Sequence, residues 1–217
     1  MIQDIKGGNL FIERAYRHFR NGGIALMISF IAIPSASAAP TEQTAVFAGG
    51  CFWGVDAVFK HVKGVSAVMS GYAGGKAATA HYDQVSNGDT GHAESVRIRF
   101  DPMLVSYQQL LQVFLSVAHD PTQLNRQGPD AGTQYRSAIF YTSTEQQAAA
   151  RNYIEKLNVS HAFPSPVVTQ LVPLEQFYPA EGYHQNYLAL HPNQPYIVFN
   201  DMPKLQQLRT QFPNLYQ

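Results

Sequence analysis

The chain has 217 residues, enough for one domain of ~100–200 residues plus an appendage. Hydrophobic residues make up 45% and charged ones only 14%, against a norm of ~25%, so long disorder and collagen are excluded. Fifteen Lys and Arg balance fifteen Asp and Glu, which argues against a nucleic-acid binder that works by neutralising phosphates.

In chain order, the first element is a leader. Lys6, Arg14, Arg17 and Arg20 precede an apolar run from Ile24 to Ile33, and Pro34-Ser35-Ala36-Ser37-Ala38 supplies small residues in an A-x-A pattern. A basic region, an apolar core and a small-residue exit predict a secretory signal peptide over residues 1–38. Its apolar core spans ~15 Å as a helix, short of a ~30 Å bilayer. The expected product, residues 39–217, is a mildly acidic exported protein, periplasmic or secreted, with no membrane attachment after cleavage.

Residues 39–217 read as a single catalytic domain with a core over about 45–172. Ala45-Val46-Phe47-Ala48 predicts a buried strand that ends at Gly49-Gly50. Val55, Val58, Phe59 and Val62 have helical spacing, and Gly64 stops them. A second strand runs from Val65 to Tyr72, a long functional loop from Lys76 to Ala93, and a strand with one wet face from Ser95 to Phe100. Ser106 caps a helix whose Leu110, Leu111, Phe114, Val117 and Ala118 share a face, and Pro121 forbids its continuation. Ser137 to Tyr141 is a strand. Ser143 with Gln146 predicts a capping box for a helix through Leu157, and Val167 to Val172 is a further strand. The succession βαβ, β, α, β, α, β predicts an α+β fold, a two-layer ferredoxin-like sandwich with extensive coil. Prolines at 173, 179, 192, 195, 203 and 213 make 173–217 a wrapping segment, with one short helix near 203–211.

The chain contains one cysteine, Cys51, so no intramolecular disulfide is available within it. A strand ending in two glycines and a helix opening at Cys51 place its sulfur at a helix N-terminus. There the dipole and free N–H groups favour a thiolate with a depressed pKa, and the glycines leave the sulfur open to approach. Phe52 and Trp53 cannot both face the core from one helical turn, so at least one lines an apolar pocket beside the thiol. Such a site suits a small neutral group. His92 and His184 sit in no H-E-x-x-H or C-x-x-C spacing, and His92-Ala93-Glu94 lacks the P-C-x-x-C partner of zinc deaminases, so no metal is expected.

Five short runs, Gly50 to Gly54, Gly71 to Gly75, Gly91 to Glu94, Gly132 to Ser137 and Phe177 to Gln185, together resemble the motifs of the A-type peptide methionine sulfoxide reductases. Gly50-Cys51-Phe52-Trp53-Gly54 is similar to that family's G-C-F-W-G, Gly71-Tyr72-Ala73-Gly74-Gly75 to its G-Y-x-G-G, and Gly91-His92-Ala93-Glu94 to the end of its T-G-H-A-E. Gly132-Thr133-Gln134-Tyr135-Arg136-Ser137 is similar to its G-T-Q-Y-R-S, and Phe177 to Gln185 also matches. The resemblance implies a ferredoxin-like core and thiol-dependent reduction of methionine S-sulfoxide, free or in proteins. By it, Cys51 is the nucleophile, Glu94 the acid, and Tyr82 and Tyr135 bind the sulfoxide oxygen. Asp130 is a further polar member, and Phe52 and Trp53 wall the methyl group.

No bound cofactor is implied. The expected partners are the sulfoxide substrate and an external reductant (a thioredoxin-like or glutaredoxin-like protein or a small thiol), with the enzyme a monomer. Many members carry resolving cysteines in a Gly-rich tail, and some near position 86. Here Ser86 stands in that region, and Phe212 to Gln217 holds none. A lone cysteine also fits a cysteine hydrolase or acyltransferase, or a non-catalytic methionine-sulfoxide binder.

Overall fold

The computed structural model describes residues 42–217, so the predicted leader and its cleavage position lie outside the described residues. Strand β1 (Gln43–Gly49) passes through Gly50 into helix α1 (Phe52–Lys60), and Gly64 turns the chain into β2 (Val65–Ala73). Helix α1 ends at its C-cap His61, and Gly64, three residues on, has φ +86°, a conformation that costs little only in glycine. The expected loop from Lys76 carries a 3₁₀ turn at Ala77–Thr79 and one helical turn, α2 (Tyr82–Val85). A four-residue helix is too short to leave a periodic signal.

After β3 (Ala93–Phe100) comes α3 (Tyr107–Val113), which continues as a π-helical turn over Phe114–Ala118. Its N-terminus is a complete capping box. Ser106 Oγ accepts from the Gln109 N–H at 3.2 Å, and Gln109 Oε1 accepts from the Ser106 N–H at 2.9 Å. The following loop contains a small hairpin of β4 (Arg126–Gln127) and β5 (Asp130–Ala131) and leads to β6 (Ser137–Tyr141).

Helix α4 (Thr144–Val159) has only half of its predicted capping box. Ser143 Oγ accepts from the Gln146 N–H, but the Gln146 amide reaches Thr142 and the Thr44 carbonyl instead. Gln146 is 8% exposed, and its Oε1 accepts from the Thr142 N–H and hydroxyl rather than from the Ser143 N–H, while its Nε2 donates to the Thr44 carbonyl of β1. Then follow β7 (Gln170–Pro173), β8 (Phe177–Pro179), α5 (Tyr187–Leu190) and α6 (Met202–Gln211). β7 starts later than the predicted Val167, because the Val168 N–H donates to the Pro121 carbonyl outside the sheet. The wrapping segment holds more structure than its prolines suggest, including an edge strand. No helix among the described residues is long and apolar enough to cross a membrane.

The six-stranded sheet has the order β7-β6-β1-β3-β2-β8. Its inner four strands, β6-β1-β3-β2, pair antiparallel throughout, which is the ferredoxin-like arrangement predicted. Only β6 and β7 run parallel. Alternation assigns the faces. Ala45, Phe47, Ile98 and Ile139 pack with Val55, Phe59, Leu110 and Phe114 of the helical layer. Phe47 stacks on Phe114 with centroids 4.6 Å apart, worth roughly 0.5–1.5 kcal/mol beyond the buried area. Val46, Ala48, Ala138 and Phe140 face the other way and are covered by Phe177, Val172 and Leu174. Phe177 and Val172 belong to the edge strands β8 and β7, so the sheet's own margins and Leu174 close that face.

Gln185 fastens the tail to β2. Its amide accepts from the Ser70 N–H at 3.0 Å and donates to the Ser70 carbonyl at 2.9 Å, completing both main-chain bonds of an edge residue. This topology also fixes where chemistry can gather. β1 and β2 run into one end of the sheet, and β3 and β6 leave from that same end. The segments after β1 and β2 and before β3 and β6 therefore meet there.

Candidate active site

Cys51 is the N-cap residue of α1 and is only 8% exposed. The turn that presents it needs glycine at 50. That residue has φ +87°, and a Cβ there would lie 2.5 Å from Cβ of Gln127. The expected openness at the glycines is thus absent, because Gln127 and His119 fill the space beside Gly50 and Gly49. A cavity of about 420 Å³ bordered by His119, Gln127, Asn200 and Lys204 adjoins these two residues and does not include Cys51 among its walls.

The expected depression of the thiol pKa is overturned. Burial pushes the Cys51 thiol well above its ordinary value, and the carboxylates of Glu94 and Asp201 push the same way. The Trp53 N–H and the Lys204 ammonium oppose them but do not prevail. Desolvation wins because the helix N-terminus spends its first amide elsewhere. The Phe52 N–H donates to Glu94 Oε2 at 3.0 Å.

Glu94 lies opposite Tyr72 in the β2–β3 ladder and is 2% exposed. Burial, the largest effect, raises its pKa to about 8 against the Phe52 bond, and Asp130 pushes further upward. At neutral pH the carboxyl is protonated. Tyr82 from α2 and Tyr135 from the 3₁₀ turn Thr133–Tyr135 come near enough for Glu94 to disfavour both phenolates, after burial itself. Neither hydroxyl bonds a protein group among the described residues, so both are free donors beside Glu94 and Cys51. Asp130 accepts a short bond from the Tyr196 hydroxyl.

The two aromatics divide as the helical turn demands. Phe52 is 1% exposed and packs between Tyr72 and His184, with ring centroids at 6.0 and 5.0 Å. Trp53 stays at the rim, stacked on Tyr187 at 3.7 Å and crossed edge-on by Tyr196 at 5.9 Å. Its indole N–H donates to His184 Nδ1 at 3.2 Å. All seven residues singled out in the sequence therefore border one region.

Sequence reasoning missed the tail's contribution. Tyr187, Tyr196, Asp201 and Lys204 reach this region from a segment read as mostly coil, and His184 had no role assigned. The aromatic content of 177–196 signalled Tyr187 and Tyr196 without saying what they pack against, and nothing local marked Asp201 or Lys204. Asp201 is fully buried against Gly54, its Oδ1 bonded to Lys204 Nζ at 3.1 Å. Any side chain at 54 would meet that ion pair.

The family model for peptide methionine sulfoxide reductase matches residues 43–215. The chain belongs to this family. It is 57% identical over 179 residues to "Peptide methionine sulfoxide reductase MsrA 2" of Mesorhizobium japonicum, covering 82% of this chain and 92% of that protein. It is 51% identical to the protein of the same name from Synechocystis, over 82% of this chain and 84% of the relative. Among solved structures, reduced Mxr1 of Saccharomyces cerevisiae is similar with a TM-score of 0.65 and 30% identity, over 72% of this chain and 90% of that one. Methionine sulfoxide reductase A of Corynebacterium diphtheriae gives 0.62 and 34%, over 72% of this chain and 78% of that one.

This peptide methionine sulfoxide reductase thus has the predicted α+β fold and catalyses thiol-dependent reduction of methionine sulfoxide. The hydrolase and binder readings find no support. No histidine bonds Cys51 among the described residues, as an acyl-transferring cysteine would require.

Proposed function

We propose that Cys51 attacks the sulfur of methionine S-sulfoxide, free or in proteins, with Glu94 managing the protons. The observation that carries this is a buried carboxyl, bonded to the first amide of α1 beside the thiol and held neutral by desolvation. A neutral carboxyl can give its proton to the departing sulfoxide oxygen, which a thiolate site cannot do. Cys51 starts as the thiol, so its own proton is available to restore Glu94. The sum is one thiol and one sulfoxide giving one sulfenic acid and one methionine, with no proton gained or lost.

Tyr82 and Tyr135 supply free hydroxyls to the oxygen, and Phe52 and Trp53 accept the methyl group. With the oxygen and the methyl group both held, the direction from which Cys51 approaches is the third constraint on the chiral sulfur, and the three together select one epimer. Asp130, tied to Tyr196, holds the polar side of the pocket in place.

The sulfenic acid must then be reduced from outside, since Cys51 is the single cysteine of the chain. An external thiol condenses with it, releasing water and forming a mixed disulfide. A second thiol displaces Cys51 as the thiol again. A small thiol or a thioredoxin- or glutaredoxin-like protein fits this step, and a monomer suffices for it.

The pH profile of single-turnover methionine formation tests the assignment without interference from the reductant. Burial holds the Cys51 thiol above its ordinary range, so the profile reports the acid. The rate should be level up to about pH 8 and fall above it, because the proton needed by the oxygen is then missing from Glu94. A fall already complete by pH 6 would mean an ordinary carboxyl with pKa ~4.3, and the role of Glu94 would be lost.

We also propose export through the leader over residues 1–38. The mature N-terminus should be Ala39 by intact mass. An exported form that retains Met1 overturns this.

A further inference from the structure

The stretch Gly132 to Ser137 lends only Tyr135 to the proposed chemistry, yet its other polar side chains are heavily bonded. Arg136 is not paired with a carboxylate among the described residues. Its guanidinium bonds main-chain carbonyls instead. Nη2 donates to the Gly91 carbonyl at 2.9 Å, and Nη1 donates to the carbonyls of His92 at 3.0 Å and Thr133 at 2.9 Å. The remaining donor, Nε, meets Gln170 Oε1 on β7 at 3.2 Å. Gln134 adds a bond to the Ser86 carbonyl at 2.9 Å, and the Thr133 hydroxyl donates to the Gly88 carbonyl. Three side chains of one segment therefore grip four carbonyls of the loop that joins Tyr82 to Glu94.

Two of the guanidinium's acceptors matter most. His92 lies two residues before Glu94, and Thr133 two before Tyr135. Both loops are held by one rigid planar group whose donors diverge at fixed angles. The contact is close on its other side as well, since a Cβ at Gly74, where φ is +94°, would sit 2.8 Å from Nη2. A loop rich in Gly88 and Gly91, each at positive φ, has little stiffness of its own. The clamp supplies it.

We propose that Arg136 is a positioning residue for sulfoxide reduction: by gripping the main chain ahead of both Glu94 and Tyr135, it sets the separation between the acid and an oxygen-binding hydroxyl. This rests on the roles given to Glu94 and Tyr135 above. Lysine cannot replace it, because a single ammonium at the end of a flexible stem cannot span both loops. Misplacing a reacting group by about 1 Å costs on the order of 10²-fold in rate.

The test uses Arg136→Lys and Arg136→Ala in single-turnover methionine formation, with melting temperature recorded and assays run well below it. The expected rate constant falls about 10–100-fold, while the KM and the rate of Cys51 alkylation by a small reagent change less than about threefold. Free guanidinium ion at millimolar levels should restore part of the rate of Arg136→Ala, and ammonium should not. In a Glu94→Gln background, Arg136→Lys should cost less than about threefold, because there is no longer an acid to aim.

An Arg136→Lys enzyme at parental rate overturns the proposal. So does a loss of equal size in the presence and absence of Glu94, since that marks a general effect on folding. If Glu94→Gln itself turns over normally, the reading of Glu94 fails separately, and the same cycle against Tyr135→Phe then decides for or against Arg136.

Discussion

Cys51→Ser should lose methionine release by roughly 10³-fold or more, since removing a covalent nucleophile typically costs at least that. A serine hydroxyl is a far weaker nucleophile toward sulfur, and the neighbouring Glu94 carries its proton at neutral pH and cannot activate it. The parent enzyme should show the complementary limit. Given sulfoxide without any reductant, it should form one methionine per chain and stop, because the 217 residues contain no second thiol to open the sulfenic acid. Intact mass should rise by one oxygen, and adding a small thiol should restart turnover through a mixed disulfide on Cys51. Excess oxidant should carry the unprotected sulfenic acid on to the sulfinic acid. Several turnovers with no external reductant would falsify this scheme.

Glu94→Gln should reduce turnover by about 10²–10⁴-fold while substrate still binds. The amide oxygen can keep the bond to the Phe52 N–H, so the turn at Cys51 survives, but no transferable proton remains. The deficit should shrink as the pH is lowered, since solvent can then protonate the oxygen. The sign follows from the parent, whose carboxyl has its pKa raised to about 8 by burial and so carries its proton across the neutral range. A variant at near-normal rate at neutral pH would hand the acid role to Tyr82 or Tyr135, whose hydroxyls are also unspent. Comparing Tyr82→Phe and Tyr135→Phe in both backgrounds separates the two assignments.

Much of this was already written in the chain. The alternation of Val46 with Phe47, the helical spacing of Val55, Val58 and Phe59, and the wet-face strand from Ser95 to Phe100 are local patterns. They fix element type through side-chain direction alone, and they specify a ferredoxin-like order of elements. Cys51, Phe52 and Trp53 stood out from the strand-to-helix turn that carries them, whereas Glu94, Tyr82, Tyr135 and Asp130 were singled out only through the resemblance of short runs of chain to a known family. Tertiary structure decided the electrostatics. The helix N-terminus at Cys51 reads as a thiolate site from sequence, but burial makes the thiol hold its proton. Desolvation depends on what folds around a group, and the charge of Asp201, 150 positions along the chain, pushes the thiol the same way. The same is true of the tail. Tyr187 and Tyr196 become pocket walls only because β8 and Gln185 dock on β2 and carry the following chain across α1. A proline-rich segment has no periodicity to announce such a path, since its conformation is set by the surface it lies on.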